Sequence, residues 1–441
     1  MRFNFLHLLQ NHQSVWRRSL IVLILRGVAV MALFFVDVAL GQLLGVSGFG
    51  VYSNALAIII ILMVISLLGL ENMLIREVAT SLEAKTMSHT RQIIQWGFTT
   101  AVGLSLTIAF LFSAYIFLLQ PYENPMMQTT MLVGLLILPM LVISNIAGIA
   151  LRGLHKILTG QTVQYMVQPL ILVLGVGYFY FYEFELTPAT TMIISAVGWF
   201  IAMLLAIVLL LKNVKPTNSD SVEPLPTGPL WRTSLVFAVI AGVQMTNSRI
   251  DIVMMYWFAG DSGAGIYSAM IRICDLLVFS IIAINISIGP SLACLHHAGE
   301  TKKLQILVTK AARLSSLAAL PLIILVAYFA QFAMGLFGDD FVGSPLPLLV
   351  LCISQAVVVL TGSKAILLVM SGEERTTALV LGITAIIHIA ISLALIPTLG
   401  VLGAAISTAA TVICWSVWLT YMSIRKLGID PTIFRLFSRI H

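Results

Sequence analysis

Apolar positions along this chain do not alternate with polar ones; they run together for twenty residues or more, separated by short polar breaks. A helix rising 1.5 Å per residue needs about 20 such residues to cross about 30 Å of hydrocarbon. Runs of that length occur twelve times, at roughly 19–44, 50–70, 93–119, 127–150, 162–182, 188–211, 233–258, 264–292, 307–333, 345–370, 377–397 and 401–424. The ten-residue alternation that a lipid-facing barrel requires is not found. The pattern therefore predicts an all-α, polytopic membrane protein. Its first run follows Arg17 and Arg18, carries Arg26 and Asp37 inside it and is not followed by a small-residue cleavage site, which reads as a retained helix rather than a signal peptide. Ahead of it, FNFLHLLQNHQSVWRR opposes aromatic and Leu side chains to Asn, Gln and His, so residues 1–18 are expected to form an interfacial helix.

Composition sharpens this picture. Of 441 residues, 59% are hydrophobic and 10% charged, against about 25% charged in an ordinary soluble domain. Such a chain cannot cover a water-facing surface. The net charge of +6 would suit an anionic partner, but no basic run with interleaved aromatics offers a nucleic-acid face. Cys274, Cys294, Cys352 and Cys414 all lie in or at the ends of apolar runs without a CxxC pair, so neither a disulfide framework nor a thiolate metal site is expected.

The position of the charges matters more than their sum, because short cytoplasmic loops collect Lys and Arg. On one side fall the N-terminus (Arg2, Arg17, Arg18), the second connection (Arg76, Lys85, Arg91) and the fourth (Arg152, Lys156). The sixth (Lys212, Lys215, Arg232), the eighth (Lys302, Lys303, Lys310, Arg313), the tenth (Arg375) and the C-terminus (Arg425, Lys426, Arg435, Arg439) join them, making 20 of the 24 basic residues. The odd-numbered connections hold only acids: Glu123, Glu183, Glu185, Asp261, Asp339 and Asp340. Both termini are expected to be cytoplasmic. The longest connection, 212–232, is rich in Pro, Ser and Thr and sits midway, dividing an N-lobe (19–211) from a C-lobe (233–424), with 425–441 as a cytoplasmic tail. The exported loops are about a dozen residues or shorter, which leaves no room there for a catalytic domain.

The midpoint linker raises the question of duplication. LLGVSGFGVYS (43–53) and FAGDSGAGIYS (258–268) match at six of eleven positions at a constant offset of 215: Gly45/Gly260, Ser47/Ser262, Gly48/Gly263, Gly50/Gly265, Tyr52/Tyr267 and Ser53/Ser268. Asp37 and Asp251 precede the two motifs at distances differing by one residue. Six helices per repeat keep both halves in the same orientation, so the axis relating them should run along the membrane normal. Two six-helix lobes around a central cavity are the expected architecture.

Four basic residues remain inside the apolar runs: Arg26, Arg249, Arg272 and Lys364. Each costs about 3 kcal/mol near a helix centre, so such groups turn to an interior, wet or paired environment. Asp37, Asp251 and Asp275 accompany them. Arg272 and Asp275, three apart on one helical face, could form a local ion pair; snorkelling would serve the shallower Arg26 and Lys364. The functional reading is a cationic cavity in which Arg forks hold phosphate oxygens, with one of the three acids binding a proton or Na⁺ for coupling. His388, alone in its helix, is expected to be a hydrogen-bonded helix contact rather than a relay.

These residues resemble the polysaccharide transporters of the multidrug/oligosaccharidyl-lipid/polysaccharide (MOP) exporter superfamily, specifically Wzx-type oligosaccharide flippases. LLGVSGFGVYSNALAI (43–58) with LENMLIREVA (70–79) looks like the helix 1–2 hairpin and its exit. MSGEERTTALVLG (370–382) and ALIPTLGVLGAAISTA (394–409) look like the helix 10–11 loop and the helix 11–12 hairpin. The resemblance implies a multi-pass protein of the bacterial plasma membrane that moves undecaprenyl-pyrophosphate-linked oligosaccharide, such as an O-antigen unit, to the outer leaflet. It implies no cofactor beyond a coupling H⁺ or Na⁺, with a polysaccharide polymerase and chain-length regulator as partners. Arg26, Arg249, Arg272 and Lys364 would then meet the pyrophosphate. A multidrug extruder of cations should have an acidic cavity, a lipid II flippase typically has fourteen helices, and a glycan polymerase or ligase carries a large exported loop; these are the alternatives.

Overall fold

The computed structural model describes residues 5–83, 87–119, 122, 124–154, 156–214 and 227–434, with side chains from residue 27 onward apart from scattered positions within those ranges. The amphipathic face expected over residues 3–18, the Arg26 side chain, linker residues 215–226 and the tail beyond 434 lie outside the described residues. The described chain is helical throughout, without strands. Its helices are α1 (Phe5–Leu67), α2 (Leu70–Glu83), α3 (Met87–Leu119), α4 (Pro125–Gly153), α5 (Ile157–Tyr165), α6 (Val167–Phe181), α7 (Pro188–Asn213) and α8 (Thr227–Leu277). They continue with α9 (Phe279–His297), α10 (Thr301–Tyr328), α11 (Ala330–Gly335), α12 (Leu346–Leu360), α13 (Lys364–Met370), α14 (Glu374–Leu399) and α15 (Val401–Leu427).

Among the described residues, eight helices are long and apolar enough to cross a membrane. Two bent pairs, Arg249–Leu277 with Phe279–Gly289 (45°) and Leu346–Leu360 with Lys364–Met370 (41°), bring the number to ten. The two longest helices hold the remaining crossings. The apolar stretch Gly27–Leu67 of α1 has 41 residues, about 60 Å of helix and twice the hydrocarbon thickness. It is interrupted at Gly45 (φ 66°, ψ 177°), and α8 is interrupted in the same way at Gly260 (φ 73°, ψ −175°). Both conformations lie where only glycine sits without strain. The chain folds back at the second of them: Tyr267 donates its hydroxyl to Asp251 Oδ2 at 3.0 Å, although sixteen residues of straight helix would hold them about 24 Å apart. Dividing α1 and α8 at these glycines yields twelve crossings close to the apolar runs of the sequence.

Local chemistry sets several boundaries. Asn124 caps α4 by accepting from the Met126 amide, with Pro125 at the first helical position. Thr187 and Thr190 form a capping box ahead of α7, again with Pro following the cap. One span is split into α5 and α6 at Met166; Pro169, three residues on, has no amide to donate to the Tyr165 carbonyl, so the helix is easily broken here.

Packing divides the chain into two compact units, residues 35–269 and residues 1–34 with 270–441. In the first, α4 is the hub, packing against α2, α3, α5 and α7. Arg152 at its end donates to Glu71 on α2 at 2.9 Å. In the second, α15 packs on α12 and α14, and α10 on α9 and α12. His388 Nδ1 meets Thr411 Oγ1 at 3.0 Å and Ser392 donates to Ser407 at 2.9 Å, two buried polar ties between α14 and α15. This is the helix-contact role expected of His388, and such ties are how apolar spans select partners. After α15 the chain is docked rather than loose: Gln305 donates to the Asp430 carbonyl at 2.7 Å and accepts from its amide at 2.9 Å.

Candidate functional site

The repeated motifs meet each other within the 35–269 unit. A Cβ placed on Gly50 would lie 1.9 Å from the Asp261 carbonyl oxygen, and one placed on Gly265 would lie 2.1 Å from the Val46 carbonyl oxygen. Residue 46 corresponds to 261 and residue 50 to 265 under the offset of 215. The same contact is thus made twice with the roles exchanged, which is the signature of a local two-fold axis. Without a side chain at either position, the two backbones approach until carbonyl oxygen and Cα are in contact, the close crossing that small residues permit between membrane helices.

Polar side chains gather around this crossing, and they differ between the repeats. Tyr52 and Tyr267 are both buried. Tyr267 donates to the buried Asp251, and the Tyr52 hydroxyl lies 3.5 Å from Ser195 Oγ on α7. Asp261 accepts from Ser47 at 3.1 Å and from Asn124 Nδ2 at 2.8 Å, joining α1, the start of α4 and α8. In the first repeat the matching position is Val46, which offers no acceptor beyond its backbone. Asp261 sits at the membrane face that the Lys/Arg distribution assigns to the exported side. Read from sequence it is one more acid in an odd-numbered connection; the identity of Tyr52 and Tyr267 and the offset itself were the signals pointing to this spot.

The ionisable residues expected to form a site fall in distinct settings. Arg249 is partly buried, before the Gly260 turn and two residues from Asp251. Arg272 is partly buried, after that turn, and belongs with the other compact unit. Asp37 and Asp251 are buried, while Asp275 is exposed. Lys364 is 2% exposed, and its ammonium donates to the Val358 carbonyl at 3.1 Å and to Thr361 Oγ1 at 2.7 Å and sits 4.7 Å from the centre of the Trp415 ring. Its ammonium is held by one carbonyl in the last turn of α12, a hydroxyl and an aromatic face, which stabilises the α12–α13 break. In this conformation Lys364 is committed to helix packing and is not presented to open space.

Chemically, the two partly buried guanidiniums suit planar, multivalent oxyanions. The buried carboxylates Asp37 and Asp251 suit a proton or a small cation. Among the described residues, no group of three His, Cys, Asp or Glu side chains is arranged to hold a metal ion.

No protein-family model matches the sequence, and no curated protein does. The fold matches solved transporters over nearly their whole length. An inward-facing multidrug-resistance MATE family transporter of the MOP superfamily superposes with a TM-score of 0.73 at 13% identity, covering 92% of this chain and 98% of that one. A MOP superfamily transporter from Pyrococcus furiosus, described as having a binding pocket of reversed polarity that suggests a different function, gives 0.69 at 13% identity, covering 94% and 96%. The lipid II flippase MurJ in an inward closed conformation gives 0.68 at 11% identity, covering 91% and 87%.

Proposed function

We propose, from the fold shared with MOP superfamily transporters, that this chain is a flippase for an oligosaccharide carried on undecaprenyl pyrophosphate. It would move that lipid from the inner to the outer leaflet of a bacterial plasma membrane by alternating access. The observation that carries this reading is the pair Arg249 and Arg272, two permanent cations in membrane-crossing segments on either side of the Gly260 turn. A group that costs about 3 kcal/mol to place in lipid marks a candidate functional site. A pyrophosphate offers several oxygens to a guanidinium fork, and the polyprenyl tail would remain in the bilayer.

Pocket polarity is a natural variable on this fold, since one neighbour is described by the reversed polarity of its pocket, and a carrier moves only what its site attracts. Asp37 and Asp251 would supply coupling by taking up a proton or Na⁺ in one orientation and releasing it in the other. The same buried acids favour a second reading, export of a cationic drug. The two are separable by cargo.

The test is the double variant Arg249→Ala/Arg272→Ala, with glycan export and membrane abundance measured together. Export should fall at least about tenfold, the equivalent of about 1.4 kcal/mol, with abundance unchanged. Full export by the double variant would overturn the reading, and drug efflux lost in Asp251→Asn with glycan export intact would favour the second.

A further inference from the structure

A groove of about 760 Å³ opens between α3 and α7 within the 35–269 unit, lined mainly by Ile94, Phe98, Ile207, Leu210 and Val214, with Gln95 and Thr99 along its α3 side and Arg91 at one end. Both helices pack on α4, which leaves the space between them open to the outside of the unit. Little of the apolar stretch of α3 is buried, and Leu204, Val208 and Leu211 of α7 are exposed, so the groove faces hydrocarbon. From Arg91 to Thr99 it runs about 12 Å along α3.

Its polarity runs in one direction. Arg91 is exposed at the mouth, and Lys212 is exposed one residue beyond the lining residue Leu211. Among the described lining residues there is no carboxylate. Trp96, on the same stretch of α3, meets Trp231 at the start of α8 edge to face at 5.2 Å, and tryptophan is enriched at the level of the headgroups. Arg91 is a little over one turn beyond Trp96, at phosphate depth, while the uncharged, largely apolar lining continues inward past Gln95 to Thr99 at acyl-chain depth. The Lys/Arg distribution places this end at the cytoplasmic leaflet.

We infer that this groove is a binding site for one anionic glycerophospholipid of the cytoplasmic leaflet, its phosphate on Arg91 and an acyl chain along Phe98 and Ile207. An aliphatic slot closed at one end by cations discriminates lipids by headgroup charge, because a zwitterionic headgroup carries its own ammonium to the same spot. The site is separate from the residues assigned to cargo and does not rest on that assignment.

The experiment uses the purified full chain in neutral detergent, with palmitoyl-oleoyl phosphatidylglycerol and phosphatidylcholine of the same chains added in turn, and retained lipid counted by native mass spectrometry. Phosphatidylglycerol should be retained about fivefold more strongly than phosphatidylcholine. Arg91→Gln should remove that preference, Arg91→Lys should keep most of it, and Ile207→Trp, which fills the slot, should weaken retention of both lipids. An unchanged preference in Arg91→Gln, or unchanged retention in Ile207→Trp, would overturn the site. Displacement of phosphatidylglycerol by an equal amount of undecaprenyl phosphate in the wild type, abolished by Ile207→Trp, would overturn the assigned occupant. The readout is lipid retention rather than glycan export, so its failure leaves the transport reading standing.

Discussion

The hairpins at Gly45 and Gly260 share one backbone solution and carry different chemistry. Their turn glycines have nearly the same dihedral angles, and each hairpin's third glycine, Gly50 or Gly265, touches the other hairpin's carbonyl. Yet Asp261 accepts from Ser47 and Asn124 where its counterpart Val46 has no side-chain acceptor to offer. Close backbone packing tolerates no added atom, so a duplicated crossing keeps its glycines. Side chains around it have room to diverge, so one repeat can acquire acids that the other lacks. The symmetric part of the crossing is therefore its backbone, and the asymmetric part its side chains.

The strongest way to break this comparison is to crowd the crossing. Gly50→Leu and Gly265→Leu should each destabilise the detergent-solubilised protein by about 3 kcal/mol, as overpacking against backbone does, with the thermal midpoint falling by similar amounts in both. A large drop in one variant alone would show that the crossing is not two-fold in energy.

Next in size is the tyrosine of the second repeat. Tyr267→Phe removes the donor to a buried carboxylate and should cost about 1–3 kcal/mol, read as a lower thermal midpoint. An unchanged midpoint would mean that the bond to Asp251 adds no stability to this hairpin. Asp261→Val makes the second repeat match the first. It releases Ser47 and Asn124 and should cost about 1 kcal/mol at the scale of hydrogen bonds between membrane helices, read as a lower thermal midpoint with Gly265 untouched.

The smallest effect lies away from the repeat and serves as its control. Glu373, in the connection between α13 and α14, accepts from Lys426 at 2.5 Å and from Thr376 at 2.7 Å, which hold its carboxyl below the usual carboxylate range. A carboxylate with a lowered folded-state pKa contributes stability above its ordinary pKa, and that contribution is lost as pH falls through the lowered value. Because the pair is largely solvent-exposed, the change should be slight. Thermal midpoints of wild type and Glu373→Gln should differ at neutral pH and converge in strong acid, with no change at the glycine crossing.

Sequence was enough to reveal the twelve crossings and the duplication at an offset of 215, because hydrophobic length and chain identity are local properties. A run of twenty apolar residues must span wherever it packs, and Gly45 and Gly260 are already the residues that permit a turn of positive φ. It also revealed that Arg249, Arg272, Asp37 and Asp251 were out of place in lipid and had to be turned inward or paired. Tertiary structure alone decided what each of them met. Gly50 faces Asp261 and Asp251 faces Tyr267, while Lys364, of the same residue class as the arginines, is spent on its own helix break. The reason is that apolar helix surfaces look alike to one another. Which faces meet is set by the fit of whole helices and not by any short pattern along one of them.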